Sequence, residues 1–428
     1  MQEKHRWHHH LTINAYWLGV SFMWNSLHSI LLPVLLLSFT PQGMRNTSYG
    51  ILTFVGLLVA MVVQPLSGAL SDGTRHALGR RRPWIFLGTL LDLACLLVLA
   101  MAGSFWVVAV GYMLLQLTSN LAHGPAQGLI PDLIPEGKRG FAAGVKNLFD
   151  MMGIIAAGLI TGTLMSGATP RIVLTITVIA GILLVVTIVT MVGARETTTQ
   201  ADPDNSIASG LALEQLRDLV RVDFGAHRGY TRLLATRFCV LLATYLVQSF
   251  GLYYFRDALG MVDPSRAIGS LMAAVGVSVA LAAYPAGALS ERWGRKGITL
   301  AACSLTALGM ALLLVVRSMS GLWILGGIIG LGMGAFASVN WAWATDLVPS
   351  QEAGKYLGLS NLATAGSAAV ARLFGPGIDL VNSWWPHAGY SMLFLVATAA
   401  VVVGLFLTLG VPQRARDTVQ KRSPKNAR

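Results

Sequence analysis

The chain has 428 residues, of which 54% are hydrophobic and only 12% charged, with a mean hydropathy of +0.62, whereas soluble domains carry about 25% charged residues. This excludes a soluble enzyme; at about 20 apolar residues per helical span, the length holds about twelve spans and leaves little for an extramembrane catalytic or receptor domain. A net charge of +12 and a pI near 10.0 would suggest nucleic acid in a soluble protein, but here the basic residues collect in loops, where topology and anionic lipid account for them. No nucleic-acid partner is expected.

In chain order, Lys4, Arg6, four histidines and Trp7 form an interfacial flank before an apolar run of about thirty residues. That run is too long for the h-region of a cleaved signal, so the first helix is expected to stay in the protein. Apolar periods predict spans over residues 11–39, 48–71, 83–102, 105–131, 141–165 and 171–193. A second set of six follows over 231–255, 266–290, 297–316, 321–345, 354–378 and 386–411. With both termini inside, Arg45, Arg171, Arg256, Arg266 and Arg317 are the only basic residues on the outer side, and the positive-inside rule selects that orientation. No organelle-targeting pattern is read, which points to a bacterial inner membrane. Cys95, Cys239 and Cys303 lie far apart inside spans, so neither a disulfide nor a metal or cofactor site is expected.

The chain repeats itself. Gly68-Ala69-Leu70-Ser71-Asp72 returns as Gly287-Ala288-Leu289-Ser290-Glu291. Gly79-Arg80-Arg81-Arg82 returns as Gly294-Arg295-Lys296, and Asp132-Leu133-Ile134-Pro135 as Asp346-Leu347-Val348-Pro349. The two glycines are 215 residues apart and the two aspartates 214. Two halves of six helices follow: residues 1–193, a cytoplasmic linker over 194–229, residues 230–411, and a basic tail over 412–428. In the linker, Leu213, Leu216, Leu219 and Val220 recur at helical spacing between charges, which predicts a short amphipathic helix on the inner membrane surface.

Small residues such as Gly68, Ala69 and Ser71 let a neighbouring helix approach closely. An acid at a helix C-terminus opposes the helix dipole unless cations compensate it. Arg75 and Arg80–Arg82 follow Asp72, while Arg292, Arg295 and Lys296 follow Glu291. The reading is a cytoplasmic charge latch made in one conformation and released in another, or else a solvated positive-inside loop.

These loops resemble the signature after helices 2 and 8 of the major facilitator superfamily. The longer gap from Asp72 to Gly79, followed by Gly-Arg-Arg-Arg-Pro, is similar to the sucrose/proton symporters and the glycoside, pentoside and hexuronide symporters. The stretch Asn120 to Leu133 resembles the sucrose-transporter pattern of an Asn-containing run, Gly-Pro and Asp-Leu. It departs from that pattern at Gln116, where an acid stands, and at Gln127, where an arginine stands. The resemblance implies an all-α fold of twelve transmembrane helices in two pseudo-symmetric halves, with helices 1, 4, 7 and 10 lining a central cavity.

Polar residues inside spans are expensive and mark function. Asp92 stands nine residues past Pro83, about 14 Å along its helix, among leucines. It is a candidate for proton exchange, or a hydrogen-bonded packing residue. Asp150 has Lys146 four residues before it on the same face, which predicts an ion pair with a structural, coupling or gating role. Arg372, with Asp379 two turns on, either snorkels outward or binds solute, and Arg237 reads as a snorkelling anchor at the inner end of its helix. Asn25 with His28 and Asn120 with His123 each share a helical face. With Gln248 and Asn340 they make a neutral hydrogen-bonding set suited to a hydroxylated solute, and either histidine could carry a proton. The alternative is helix-to-helix bonding.

No Walker, HExxH or nucleophile-elbow pattern stands in a plausible setting, so no enzyme activity is expected. The leading reading is a monomeric secondary transporter working by alternating access, a proton-coupled symporter of a sugar or glycoside in the lipid bilayer. The alternatives are an exporter of a small organic compound, or a non-transporting assembly factor related to light-harvesting assembly proteins.

Overall fold

The protein is described from a computed structural model over residues 7–194, 196, 228–347 and 353–413. The expected amphipathic helix over 209–222, the pair Val348-Pro349 and the tail beyond residue 413 lie outside the described residues.

The described residues form helices and no strand. In chain order they are α1 (Trp7–Phe39), α2 (Arg45–Asp72), α3 (Arg82–Ala100), α4 (Phe105–Leu133), α5 (Glu136–Leu164), α6 (Ile172–Gly193), α7 (Arg228–Ala258), α8 (Pro264–Trp293), α9 (Arg295–Leu312), α10 (Met319–Leu347), α11 (Ala353–Arg372 and Phe374–Trp384) and α12 (Ala388–Leu409). Ten of these segments are long and apolar enough to cross a membrane; α9 and α11 fill the remaining places of the repeat. The chain is an integral membrane protein. Lipid-facing and enclosed helices differ in their exposure. Val173, Val185 and Val192 of α6 are bare, whereas Tyr16, Phe22, Met23, Leu27 and Ile30 of α1 are fully buried.

The chain divides into two compact units. The first comprises residues 1–217 with 252–273, the second 218–251 with 274–428. In the first unit α1 packs on α5 and α6, and α4 packs on α2 and α3. Pro33 has no N–H to give, and the preceding turn widens to a π-helical turn over Leu27–Leu31. Glycines set the closest crossings. A Cβ on Gly88 would stand 2.7 Å from Ala122 Cβ, and one on Gly153 would stand 2.7 Å from Leu18 O, so α3 meets α4 and α5 meets α1 backbone to backbone. The end of α7 and the start of α8 join this unit. Tyr253 donates its hydroxyl to Pro33 O at 3.3 Å and meets the Tyr49 ring edge-on. Arg45 lies 3.8 Å from Asp257, and the backbone at Gly158 touches that at Gly269.

In the second unit α9 packs on α10 and α12. Gly330 and Gly334 of α10 lie against the backbone of α8 at Val275 and Val279. Tyr230, Leu233, Trp343, Ala344, Leu359 and Val411 form a buried core. The segment after α12 is tied down there: Trp343 Nε1 donates to Pro412 O at 3.3 Å and Arg232 Nη1 to Gly410 O at 2.6 Å.

Candidate functional site

At the basic end of the first unit the charges form one network. Arg81 binds Asp72 through Nη2, binds Asp132 through Nε at 2.9 Å, and donates Nη1 to Gly68 O at 3.1 Å and to Ser71 Oγ. Arg80 reaches the same Asp132, with Nε at 3.1 Å. The backbone N–H groups of Arg80, Arg81 and Arg82, free donors at the start of α3, are met by the Glu196 carboxylate, at 3.0 Å for Arg81 and 3.2 Å for Arg82. Gly79 turns the chain at φ +100°, and a Cβ there would strike Glu196.

The second unit builds a reduced copy. Arg295 Nε reaches Asp346 at 3.2 Å and Nη1 reaches Ser290 Oγ at 2.7 Å. The counterpart of Arg81 is therefore Arg295, and the shared acceptors are the serine of the repeat and the aspartate that ends α4 or α10. The two repeated acids, both exposed, differ in their partners: Asp72 is held by Arg81, while Arg295 turns to Asp346 and Ser290. Of the cations expected at Arg75 and Arg80–Arg82, Arg81 is the one paired with Asp72 among the described residues. Arg81 takes this place because it stands at the N-terminus of α3 with its guanidinium over Gly128, where a Cβ would lie 2.6 Å from Nε.

Inside the first unit, His28 and Asn120 belong to one hydrogen-bonded chain. His28 Nε2 meets Tyr112 Oη at 2.9 Å, Gln116 Nε2 donates to the same oxygen at 2.6 Å, and Asn120 Nδ2 donates to Gln116 O at 2.7 Å. Ser67 Oγ of α2 closes the chain on Asn120 O at 2.9 Å. Gln116, the position that departs from the sucrose-transporter pattern, thus stands in the middle of a buried neutral chain. Trp24 stacks on His28 with centroids 5.0 Å apart.

His123 goes elsewhere. Its ring meets Trp17 edge-on at 4.9 Å, Lys146 Nζ stands 3.9 Å from the centroid of the same indole, and Lys146 binds Asp150 at 2.8 Å. Ser21 donates to Asp150 O at 2.8 Å, and Asn25 donates to Ser21 O at 2.9 Å. The paired Asn and His positions therefore sort into two clusters. His28 and Asn120 lie in one; Asn25 and His123 flank the other. Gln127 is exposed.

Asp92 is fully buried with Thr118 Oγ1 donating to its Oδ1. Its surroundings are hydroxyls of α1, α3 and α4 and not the leucines alone.

In the second unit Arg237 does not snorkel. Nη1 donates to Asn340 Oδ1 and Nε to Thr364 Oγ1, both at 3.1 Å, joining α7, α10 and α11, and the Trp341 ring lies 5.7 Å from the guanidinium. Satisfying a charged head inside the bundle outweighs extending it to an interface nine residues away. Arg372 is also buried and does not extend outward. It ends the first segment of α11, and its Nη1 donates to Ala368 O at 2.8 Å, where the helix break frees carbonyls. Gln248 sits half-buried on α7.

Tyr112, Trp17, Thr364 and Glu196 escaped the sequence reading. Tyr112, Gln116 and Asn120 are four residues apart, so one polar face of α4 was detectable. Trp17, Thr364 and Glu196 carry no comparable local signal.

The family described as MFS/sugar transport protein matches residues 16–375. The sucrose transport protein SUC3 of Arabidopsis thaliana is 26% identical over 159 residues, which is 32% of this chain and 26% of that protein. The sucrose transport protein SUT1 of Oryza sativa subsp. japonica is 28% identical over 137 residues, 27% of this chain and 25% of that protein. The matches thus span about a quarter of those relatives' length. Among solved structures, a bacterial homologue of the human lysosomal transporter Spinster, inward-facing and unoccupied, aligns over 100% of both chains with a TM-score of 0.73 and 15% identity. A D-xylose-proton symporter aligns over 95% of this chain and 99% of that one, with a TM-score of 0.69 and 16% identity. These two likenesses concern the fold.

Proposed function

The chain belongs to the MFS/sugar transport protein family, and on that premise we propose that this membrane transporter moves a sugar or glycoside together with a proton by alternating access. The basic end is assigned to the cytoplasmic side of a bacterial inner membrane, with both termini there. Sugar as the solute draws on the names of the sucrose-transporting relatives. It also draws on the neutral donors and acceptors around His28, Tyr112, Gln116 and Asn120, which suit a hydroxylated ligand.

The observation that carries proton coupling is the Lys146–Asp150 pair against Trp17. Both side chains keep about a quarter of their exposure, 26% and 25%, while Asp92 keeps none. A proton arriving on Asp150 removes the charge that holds Lys146 in place and frees the ammonium to leave the Trp17 indole of α1, which loosens α5 from α1. Proton uptake at this pair thereby changes which packing of α1 and α5 is favoured. Asp150 is the coupling acid in this reading, with His123 beside the same indole.

The test is flux in proteoliposomes loaded with a pH-sensitive dye and offered a panel of neutral sugars and glycosides. Internal acidification is expected when one external sugar is added. Asp150→Asn keeps exchange of that sugar and loses its proton-driven accumulation. Sugar movement without acidification, or wild-type accumulation by Asp150→Asn, overturns the coupling.

A further inference from the structure

Two arginines stand inside the second unit without an acid to answer them. Arg372 is only 6% exposed. Its Nη1 is taken by Ala368 O of its own helix, and its Nε has no hydrogen-bond partner among the described residues. Arg237 spends Nε and Nη1 on neutral acceptors, Thr364 Oγ1 and Asn340 Oδ1. Because Oδ1 of Asn340 faces that guanidinium, its Nδ2 is turned away, and this atom too is enclosed without a partner. Neither guanidinium enters an ion pair among the described residues. The acids described in this unit are Glu291, Asp346 and Asp379. Glu291 and Asp346 belong to the basic end, where Arg295 holds Asp346. Asp379 stands beyond the helix break at Leu373 and leaves Arg372 Nε bare.

The two cations flank one stretch of α7 and α11. Arg237 meets Thr364, and eight residues further along each helix stand Tyr245 and Arg372, about 12 Å on at 1.5 Å per residue. Tyr245 lies in the field of both guanidiniums. Arg237, Tyr245 and Gln248 recur on one face of α7; they and Thr364 are half-buried, which leaves this face open to a small ligand.

We propose that Arg372 and Tyr245, with the Arg237–Asn340 pair further along the same stretch, bind the carboxylate group of a small organic acid among α7, α10 and α11.

The set is rich in donors and lacks a charged acceptor. A guanidinium is not deprotonated in a protein, so both positive charges persist. A buried charge without a counter-charge is costly, and inside a span it marks a functional site whose partner has to be supplied. A cation would be repelled by both arginines, and a neutral solute would leave their charge uncompensated. An anion removes the cost. The side of the Arg372 fork that carries Nε presents a planar edge, which matches two coplanar oxygens and is wasted on a spherical halide. Tyr245 can donate its hydroxyl to one of those oxygens. Phosphate brings further oxygens, for which Arg372, with Nη1 already turned to Ala368 O, has no donor left on that edge. The site lies within one unit and uses neither the His28–Asn120 chain nor the Lys146–Asp150 pair, so it stands whether or not a neutral sugar is carried.

The experiment is thermal unfolding of the purified full-length protein in detergent at neutral pH. Sodium acetate, lactate, gluconate, phosphate and chloride are compared at equal ionic strength, with acetamide as the neutral counterpart of acetate. A saturable rise in unfolding temperature is expected with at least one carboxylate, larger than with chloride or phosphate and absent with acetamide. Arg372→Gln weakens the apparent affinity for that carboxylate by about tenfold or more, and Tyr245→Phe, which keeps the ring, by about threefold or more. Equal rises in all salts, no rise with any carboxylate, or a rise with acetamide equal to that with acetate overturns the site. A larger rise with chloride or phosphate than with every carboxylate also overturns it and assigns the arginines an inorganic anion. Unchanged affinity in Arg372→Gln, or in Tyr245→Phe where the first variant does not fold, overturns it as well. No solute flux enters these measurements, so their failure is distinct from failure of the transport reading.

Discussion

His28 of α1 and Tyr112 of α4 meet at 2.9 Å, and the same phenolic oxygen accepts from Gln116 at 2.6 Å. Tyr112 is fully buried, with its ring against Gly56, where a Cβ would stand 2.6 Å from Cε1. Helix packing, through a glycine on α2, therefore holds the oxygen on which the chain to Asn120 depends.

Tyr112→Phe keeps the ring in that slot and deletes the oxygen. Gln116 Nε2 loses its acceptor and His28 loses this contact, at a cost of about 1–2 kcal/mol. Thermal unfolding of the purified variant reads the loss, and weaker solute binding is expected alongside it. A variant as stable as the parent and binding equally well would remove Tyr112 from the centre of this chain.

Lys146→Met strips Asp150 of its cation in a half-buried setting. The expected destabilisation is about 1–3 kcal/mol, below that of a fully enclosed pair because of residual solvent screening. Lys146→Met combined with Asp150→Asn should be more stable than Lys146→Met alone, since no uncompensated charge remains. A double variant at or below the single in denaturant stability contradicts the pairing energetics.

Arg81 and Arg295 occupy equivalent places with unequal work. Arg81 uses its fork on Asp72, Asp132, Ser71 and Gly68, whereas Arg295 serves Asp346 and Ser290. A lysine cannot reproduce a planar fork. Arg81→Lys should lower stability and transport rate several-fold more than Arg295→Lys, and equal effects would show that the repeat is symmetric in energy as well as in outline.

Two glycines differ in the sign of their response. Gly88→Ala forces a Cβ to 2.7 Å from Ala122 Cβ and 2.9 Å from Thr118 O, so α3 and α4 must part, at about 1–3 kcal/mol. Gly181 of α6 has nothing within 4 Å of an added Cβ, and Gly181→Ala should be neutral or stabilising by up to about 1 kcal/mol. The unfolding temperature of Gly88→Ala should fall below the parent's and that of Gly181→Ala should equal or exceed it; the reverse order contradicts the packing.

Much of the architecture could be read before any coordinates. Apolar runs of span length leave the backbone no choice but helix in lipid, so the spans agree with α1 to α12 to within a few residues at most ends. The return of Gly-Ala-Leu-Ser with a following acid and basic cluster identified the loops at which Arg81 and Arg295 work. Lys146 and Asp150 were legible because a spacing of four on one helix is a local property.

Contacts between helices distant in sequence were decided only by the tertiary structure. The sequence by itself determined an all-helical membrane protein with two related halves, because hydropathy and repetition are properties of segments and need no partner. It could not say that His28 and Asn120 share one hydrogen-bonded chain while His123 joins Trp17 and Lys146. Nor could it say that Arg237 turns inward to Asn340 and Thr364, or that Glu196 caps α3. Each of these depends on the crossing of two or more helices, set by glycines and side-chain volumes on both. A helical period gives the face on which a residue lies, and packing alone decides what that face meets.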